Sequence, residues 1–279
     1  MSDYRGQRAA LSTRHAKESV IAPPFASLLG LAVAAVPVDT DSFGTFAGEI
    51  PRAGSAYETA VRKARDGMAA SGLPLGLASE GTIASDPVLP GVTVDMELLV
   101  FIDDVRGIVV HETHRSSATI AGHTTVSRED DLDPFLDRAD FPRHGLIARP
   151  AGLQGPIAKG ITDHDDLRRI IDDYAALSPT HRVEIESDLR AHMSPSRMMA
   201  IDACAHALAE RLATPCPNCG CPGWGPMEPA WGLPCRECGT TAPHVVRADR
   251  MGCPRCPAVH EAARHAEFAD PQWCPRCNP

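Results

Sequence analysis

The sequence predicts an α/β class, with a mixed-sheet layered domain over residues 1–213 followed by a small C-terminal zinc-ribbon domain over 214–279. Three observations carry this reading. Short apolar runs alternate with amphipathic stretches of helical period through the first part, the pattern of layered α/β structure. Nine of the ten cysteines lie from Cys216 onward. Eight of those nine form four CxxC pairs: Cys216/Cys219, Cys235/Cys238, Cys253/Cys256 and Cys274/Cys277.

Taken in order, residues 1–10 are polar and expected to fray. Leu11 to Thr13 reads as a short strand, turning at Arg14 and His15 into a helix from Lys17 to Leu29. Leu31 to Val38 is rich in Val and Ala and suits a buried strand, and a polar loop follows from Asp39. Ser55 to Ser71 is helical, with Tyr57, Val61, Ala64 and Met68 on one face, and Gly72 and Pro74 stop it. Leu75 to Ala78 should be the next strand, ending in a turn at Ser79, Glu80 and Gly81. Glu97 to Asp103 and Gly107 to Glu112 read as a hairpin. Further on, Gly145 to Ala148 and Arg182 to Glu186 are strand-like, and Asp163 to Ala176 is helical. Ser194 followed by Pro195 starts a last helix, whose stripe of Met198, Ile201, Ala205, Leu208 and Leu212 runs to the boundary at Thr214. Cys204 beside that stripe reads as a packed thiol.

The tail points to metal. Two thiolates separated by two residues grip one face of a tetrahedral Zn²⁺, and a second pair completes the site. Two structural zinc ions are therefore expected, bound by the eight paired cysteines. The intervals from Cys219 to Cys235 and from Cys256 to Cys274 both fit consecutive ribbon spacing, although other hairpins remain open. Thiolate zinc argues for a reducing, cytoplasmic setting. The chain carries a formal charge of −9, so nucleic acid is a weaker partner than a protein docked on the ribbons. The longest apolar run, Leu28 to Val38, is too short to span a bilayer.

Only three lysines, Lys17, Lys63 and Lys159, stand against 24 arginines, so these positions favour a compact ammonium. Glu58 in the first turn of its helix and Glu80 at the end of the next strand could converge on Mg²⁺. The residues alone favour the plainer alternative, a solvated helix face and a turn acid. The loop from Asp39 to Glu49 offers Asp41 and Glu49 to orient an attacking water. Arg190 and Arg197 flank the start of the last helix, where they could hold a phosphate or neutralise Glu184, Glu186 and Asp188.

Residues 11–105 resemble the inosine triphosphate pyrophosphatase superfamily through Thr13 and Lys17, then Glu58, Ala60, Lys63 and Ala64, then Glu80 and Gly81. That resemblance implies Mg²⁺ on Glu58 and Glu80, and phosphate on Lys17 and Lys63. The whole chain is also similar to a bacterial family of unknown function, through His15 to Glu18, Asp39 to Glu49, Ala78 to Gly81, Asp188 to Met198 and the terminal CxxC pairs. The expected function is a Mg²⁺-dependent phosphoanhydride hydrolase acting on a small phosphorylated substrate. Its catalytic candidates are Glu58, Glu80, Asp41 and Glu49, and its substrate-binding candidates are His15, Lys17, Lys63, Arg190 and Arg197. The alternative is a noncatalytic adaptor whose ribbons dock a protein or nucleic acid.

Overall fold

The computed structural model describes residues 4–38, 54–86, 91–262 and 266–279. The Asp39 to Glu49 loop, with Asp41 and Glu49, lies outside the described residues. The first sheet has five strands: β1 (Arg8–Ser12), β2 (Ala32–Val36), β3 (Leu75–Ser85), β4 (Thr93–Asp103) and β5 (Ile108–Ser116). Their spatial order is β2-β1-β3-β4-β5. β1 runs parallel to both β2 and β3, while β3, β4 and β5 form an antiparallel meander. This is the mixed sheet expected of the class.

Side-chain alternation along the strands divides this sheet into two cores. On one face Leu11, Leu77, Leu99 and Phe101 pack with α1 (Glu18–Leu29) and α5 (Pro195–Ala213). On the other, Ala78, Leu98, Val100 and Ile102 pack with Ala60, Ala64 and Met68 of α2 (Ala56–Ser71). Helices on opposite faces make the carboxyl end of β1 a topological switch point, where open α/β sheets bind ligands.

A second sheet, ordered β6-β9-β7-β8, is built from β6 (His123–Val126), β7 (Leu146–Pro150), β8 (Ala158–Ile161) and β9 (Val183–Ser187). It carries its own core with α3 (Asp133–Arg138) and α4 (His164–Leu177). The cysteine-rich part is a three-stranded sheet of β10 (Gly225–Pro234), β11 (Thr241–Gly252) and β12 (Val259–Glu261).

Several expectations change. The amino terminus is not frayed from Tyr4 on: Tyr4 is buried, donates to Asp103 Oδ2 at 3.1 Å and meets Phe101 edge-on. The buried face of α2 is rotated away from Tyr57, which is 40% exposed, and includes Lys63. Ser79, Glu80 and Gly81 form no turn, because β3 continues through them, opposite Leu99, Leu98 and Glu97 of β4.

Candidate functional site

β1 ends at Ser12, which pairs with Ala78 of β3. From Ser79 onward β3 has no parallel neighbour among the described residues, and this end of the β1/β3 pair, beside Ser79, Glu80 and Gly81, is the position where a switch-point crevice falls. Charged side chains reach it from both faces. Lys17, at the start of α1, donates from Nζ to Ser79 Oγ at 2.9 Å. The loop before it holds His15 and Ala16 in left-handed backbone, at φ 69° and 56°. Such non-glycine strain persists where the surroundings over-determine it, often at functional sites. From the opposite face Lys63 forms a buried ion pair with Glu80. Ser12 Oγ donates to the Lys63 carbonyl at 2.5 Å, locking α2 to the end of β1.

The α1 and α5 side of the crevice is closed by an ion pair between Arg197 Nε and Glu97 Oε1, 2.5 Å apart and almost fully buried. Gly81 makes room for it, since a Cβ there would stand 2.4 Å from Arg197 Nη2 and 2.6 Å from Glu97 Oε1. Two residues before Glu97, Asp95 accepts from Thr119 Oγ1 at 2.8 Å. Burial, and next the charge of Glu97, push Asp95 up to about 6. Among the described residues Asp95 Oδ1 and Glu97 Oε2 are buried without a hydrogen-bond partner. Burial, and next the charge of Arg197, lower Lys17 to about 8, against the opposing pull of Glu97 and Glu80. Lys17 therefore senses both faces of the sheet. No ion pair of Lys17 occurs among the described residues; its ammonium bonds only to a hydroxyl.

The remaining candidates fall differently. Glu58 is exposed and completes a capping box with Ser55, whose amide donates to Glu58 Oε2 at 2.9 Å. At 100° per residue it lies opposite the buried face of α2, about 140° from Lys63. Glu58 and Glu80 thus do not converge, and the expected Mg²⁺ site between them is corrected: one carboxylate caps a helix and the other pairs with Lys63. Among the described residues the only groups of three or more metal-capable side chains are cysteine tetrads. Arg190 spans Asp188 with Nε and Nη2, at 2.9 and 2.5 Å. Arg190 and Arg197 are accordingly engaged by acids, and His15 stacks on His192 at 4.7 Å. In sequence the hairpin starts at Glu97, with no role given to that residue, and Asp95 is not singled out; their spacing of two residues, which puts both on one face of β4, was the available signal.

The cysteines form two tetrads, Cys216, Cys219, Cys253 and Cys256, and Cys235, Cys238, Cys274 and Cys277. Sulfur pairs across the knuckles lie 3.7 Å apart in the first and 3.4, 3.5 and 3.9 Å apart in the second. A tetrahedron with zinc–sulfur bonds of about 2.3 Å requires edges of about 3.8 Å, so both tetrads fit a zinc ion. Backbone amides of Arg255 and Cys256 donate to Cys253 Sγ, which orients that ligand. Gly220 and Gly239, both at φ 69°, turn two knuckles and return amides to the carbonyls of Cys216 and Cys235.

The knuckles interleave, first with third and second with fourth, instead of following the consecutive spacing. The cause is a strand. β10 holds ten residues, about 33 Å of extended chain, between the first two knuckles. Antiparallel pairing of Gly225 with Gly252 then sets the first knuckle beside the third. The second knuckle is the turn between β10 and β11, and the fourth returns to it through Ala269, hydrogen bonded to Arg236 and Pro234.

The first tetrad packs into the main core, where Cys216 and Cys221 are buried with Ile201 and Leu208, while the second has a small cluster of its own around Leu233, Ala242 and Ala269. Arg211 fastens the first tetrad by donating to the Gly223 carbonyl and to Glu112. Cys204 is a packed thiol, buried and 3.3 Å from the Glu97 carbonyl.

These features define a mixed α/β protein carrying two four-cysteine clusters that fit zinc ribbons. The chain belongs to the family described as a domain of unknown function, DUF6671, whose profile matches residues 63–279. The match takes in Lys63, Glu80, Glu97, Arg197 and both tetrads, and it gives no link to the inosine triphosphate pyrophosphatase superfamily. Comparison with curated proteins gave no match. Among the described residues no helix is long and apolar enough to cross a membrane.

Proposed function

We propose that the crevice beyond the end of β1 binds the phosphoryl group of a small molecule, and that the α/β part hydrolyses a nucleotide phosphoanhydride there. The supporting observation is Lys17: a half-buried ammonium at the switch point that, among the described residues, bonds to a hydroxyl and to no carboxylate. Such a charge remains available to an anion, and the amino end of α1 adds its dipole. Lys63 and Arg197 stand close by, each held in a buried ion pair with Glu80 and Glu97, so of the three Lys17 is the cation whose charge is not offset by an adjacent carboxylate among the described residues. Preorganised cations that offset developing phosphoryl charge are the usual source of rate in this chemistry. Orientation of the attacking water stays with Asp41 or Glu49, as the sequence suggested. No step is routed through Mg²⁺, because Glu58 is unavailable and Glu80 is held by Lys63.

The test combines calorimetric titration of inorganic pyrophosphate with release assays on a panel of nucleoside triphosphates. Wild-type protein should bind pyrophosphate and Lys17→Met should bind it at least tenfold more weakly. Absence of both binding and turnover in the wild type ends the reading; binding without turnover leaves a sensor of phosphorylated ligands and ends the hydrolase.

A second reading, a ribbon that docks a protein partner, draws support from exposed aromatics in the cysteine-rich part. Trp231 is 48% exposed, Phe268 43% and Trp273 61%. Exposed aromatics of this kind are enriched at interfaces. Affinity capture with the full chain, compared with a Trp231→Ser and Trp273→Ser double variant, tests it: identical captured proteins would count against docking.

A further inference from the structure

Outside the crevice, a serine, a histidine and an aspartate lie in line. His144 is buried and joins two elements distant in sequence. Its Nε2 is 3.0 Å from Ser196 Oγ, and its Nδ1 is 3.0 Å from Asp140 Oδ2. The backbone amide of Ser196 also lies 3.2 Å from Nε2. An amide can only donate, so Nε2 must carry the lone pair, and the ring proton of the neutral imidazole belongs on Nδ1, facing Asp140. This one lone pair is shared between the amide and the hydroxyl of Ser196, and it is the one a general base uses to take a proton from a serine hydroxyl.

The surroundings are consistent with a reactive hydroxyl. Ser196 is half-buried in the first turn of α5, a helix of 19 residues whose Ser196 amide is capped by His144 and not by Ser194, and negative charge developing near Ser196 is favoured by the helix dipole. The amide of Ile120 donates to Ser196 Oγ at 3.1 Å and fixes its direction. Asp140 is held at φ 51°, an unfavourable conformation for a side-chain-bearing residue, by a turn in which the His144 amide donates to the Asp140 carbonyl at 2.9 Å. Backbone strain is here retained at the residue that orients the imidazole.

We propose that Ser196, His144 and Asp140 form a nucleophilic triad acting on small carboxylic esters, a chemistry distinct from that of the phosphoryl crevice, which the neighbouring Arg197 closes. Ser196 Oγ attacks the acyl carbon while its proton passes to His144 Nε2. The imidazolium, facing the Asp140 carboxylate, returns that proton to the departing alkoxide as the ester C–O bond breaks. Water then attacks the acyl-serine by the same proton route, releasing the carboxylic acid and restoring Ser196. Ser196 and His144 are the catalytic residues, and Asp140 is a positioning residue.

The zinc-loaded full chain is treated with a fluorophosphonate probe and the adduct is mapped by mass spectrometry. Wild type should carry one adduct on Ser196, none should form on Ser196→Ala, and labelling of His144→Gln should be about 100-fold slower or more, the usual contribution of a general base. No adduct on Ser196, or equal rates in wild type and a folded His144→Gln, overturns the proposal and leaves His144 as a cap on α5.

Should His144→Gln fail to fold, two further variants decide. Ser196→Cys should react with iodoacetamide well below the ordinary thiol range of about 8.5 if His144 activates it, and only near that range if it does not. Asp140→Asn, altered at a partly exposed position, should shift the pH profile of labelling; an unchanged profile removes Asp140 from the triad.

Discussion

Arg197 and Glu97, one hundred residues apart in sequence, meet with Nε 2.5 Å from Oε1 and with side chains 1% and 0% exposed. The pair fastens the start of α5 to β4. Removing one partner leaves the other charge buried without compensation, which costs roughly 3–5 kcal/mol. Arg197→Met and Glu97→Gln should each show that loss in urea denaturation. The double variant should recover a large part of it.

Gly81 should not tolerate a methyl group. Its added carbon would press on both members of that ion pair. Gly81→Ala is expected to destabilise the fold by about 1–3 kcal/mol, in the range of overpacked cores. Gly76→Ala, whose nearest contacts are the flexible Met68 Cγ and Sδ at 2.5 and 2.6 Å, should cost less. Thermal melts of the two variants check the order.

Asp95 gives a pH dependence with a definite sign. Its folded value, pushed up to about 6 from 3.8 by burial and then by Glu97, means that the native state holds this proton more tightly than the unfolded chain. Its contribution to stability is therefore present below about pH 4 and lost as pH rises through about 6. Asp95→Asn should flatten this part of the profile and raise the melting temperature at pH 7.5, whereas at pH 5 the gain should be smaller.

Lys17 should make pyrophosphate binding alkaline-sensitive. Its ammonium, lowered to about 8 by burial and then by Arg197, loses its charge as pH rises through that value. Affinity for pyrophosphate should fall between pH 7 and pH 9, and Lys17→Arg should retain binding at the higher pH. Titrations at the two values measure the difference.

The two tetrads should differ in how far their loss spreads. Cys216 and Cys256 adjoin the core that holds α1 and α5, whereas Cys235 and Cys274 sit by a separate small cluster. Each of Cys216→Ser and Cys235→Ser should lower the zinc content by one ion per chain. Only the first should also lower the melting temperature of the α/β part, read by near-ultraviolet circular dichroism.

Local chemistry made much of this fold legible. Ser55 and Glu58 wrote their own helix start, Gly72 its end, and alternating residues in β4 and β5 their hairpin. The metal ligands were legible because cysteine spacing reports coordination directly. What escaped depended on contacts between distant segments. Glu80 and Gly81 resemble a turn locally, yet β4 extends the strand through them. Lys63 reads as a phosphate-binding ammonium, but in the fold it is buried against Glu80 of β3. Ser194 has the composition of a helix cap, and the structure gives that place to His144, fifty residues earlier, through the amide of Ser196.

The crossed arrangement of the knuckles bears on how the protein is made. During synthesis the first two knuckles emerge together while their proper mates are still inside the ribosome. The interval from Cys219 to Cys235 would let a metal ion join them prematurely, before β11 exists to hold them apart. Newly made chain thus meets a wrong but chemically competent clasp, and pairing of β10 with β11 is the feature of the finished fold that excludes it.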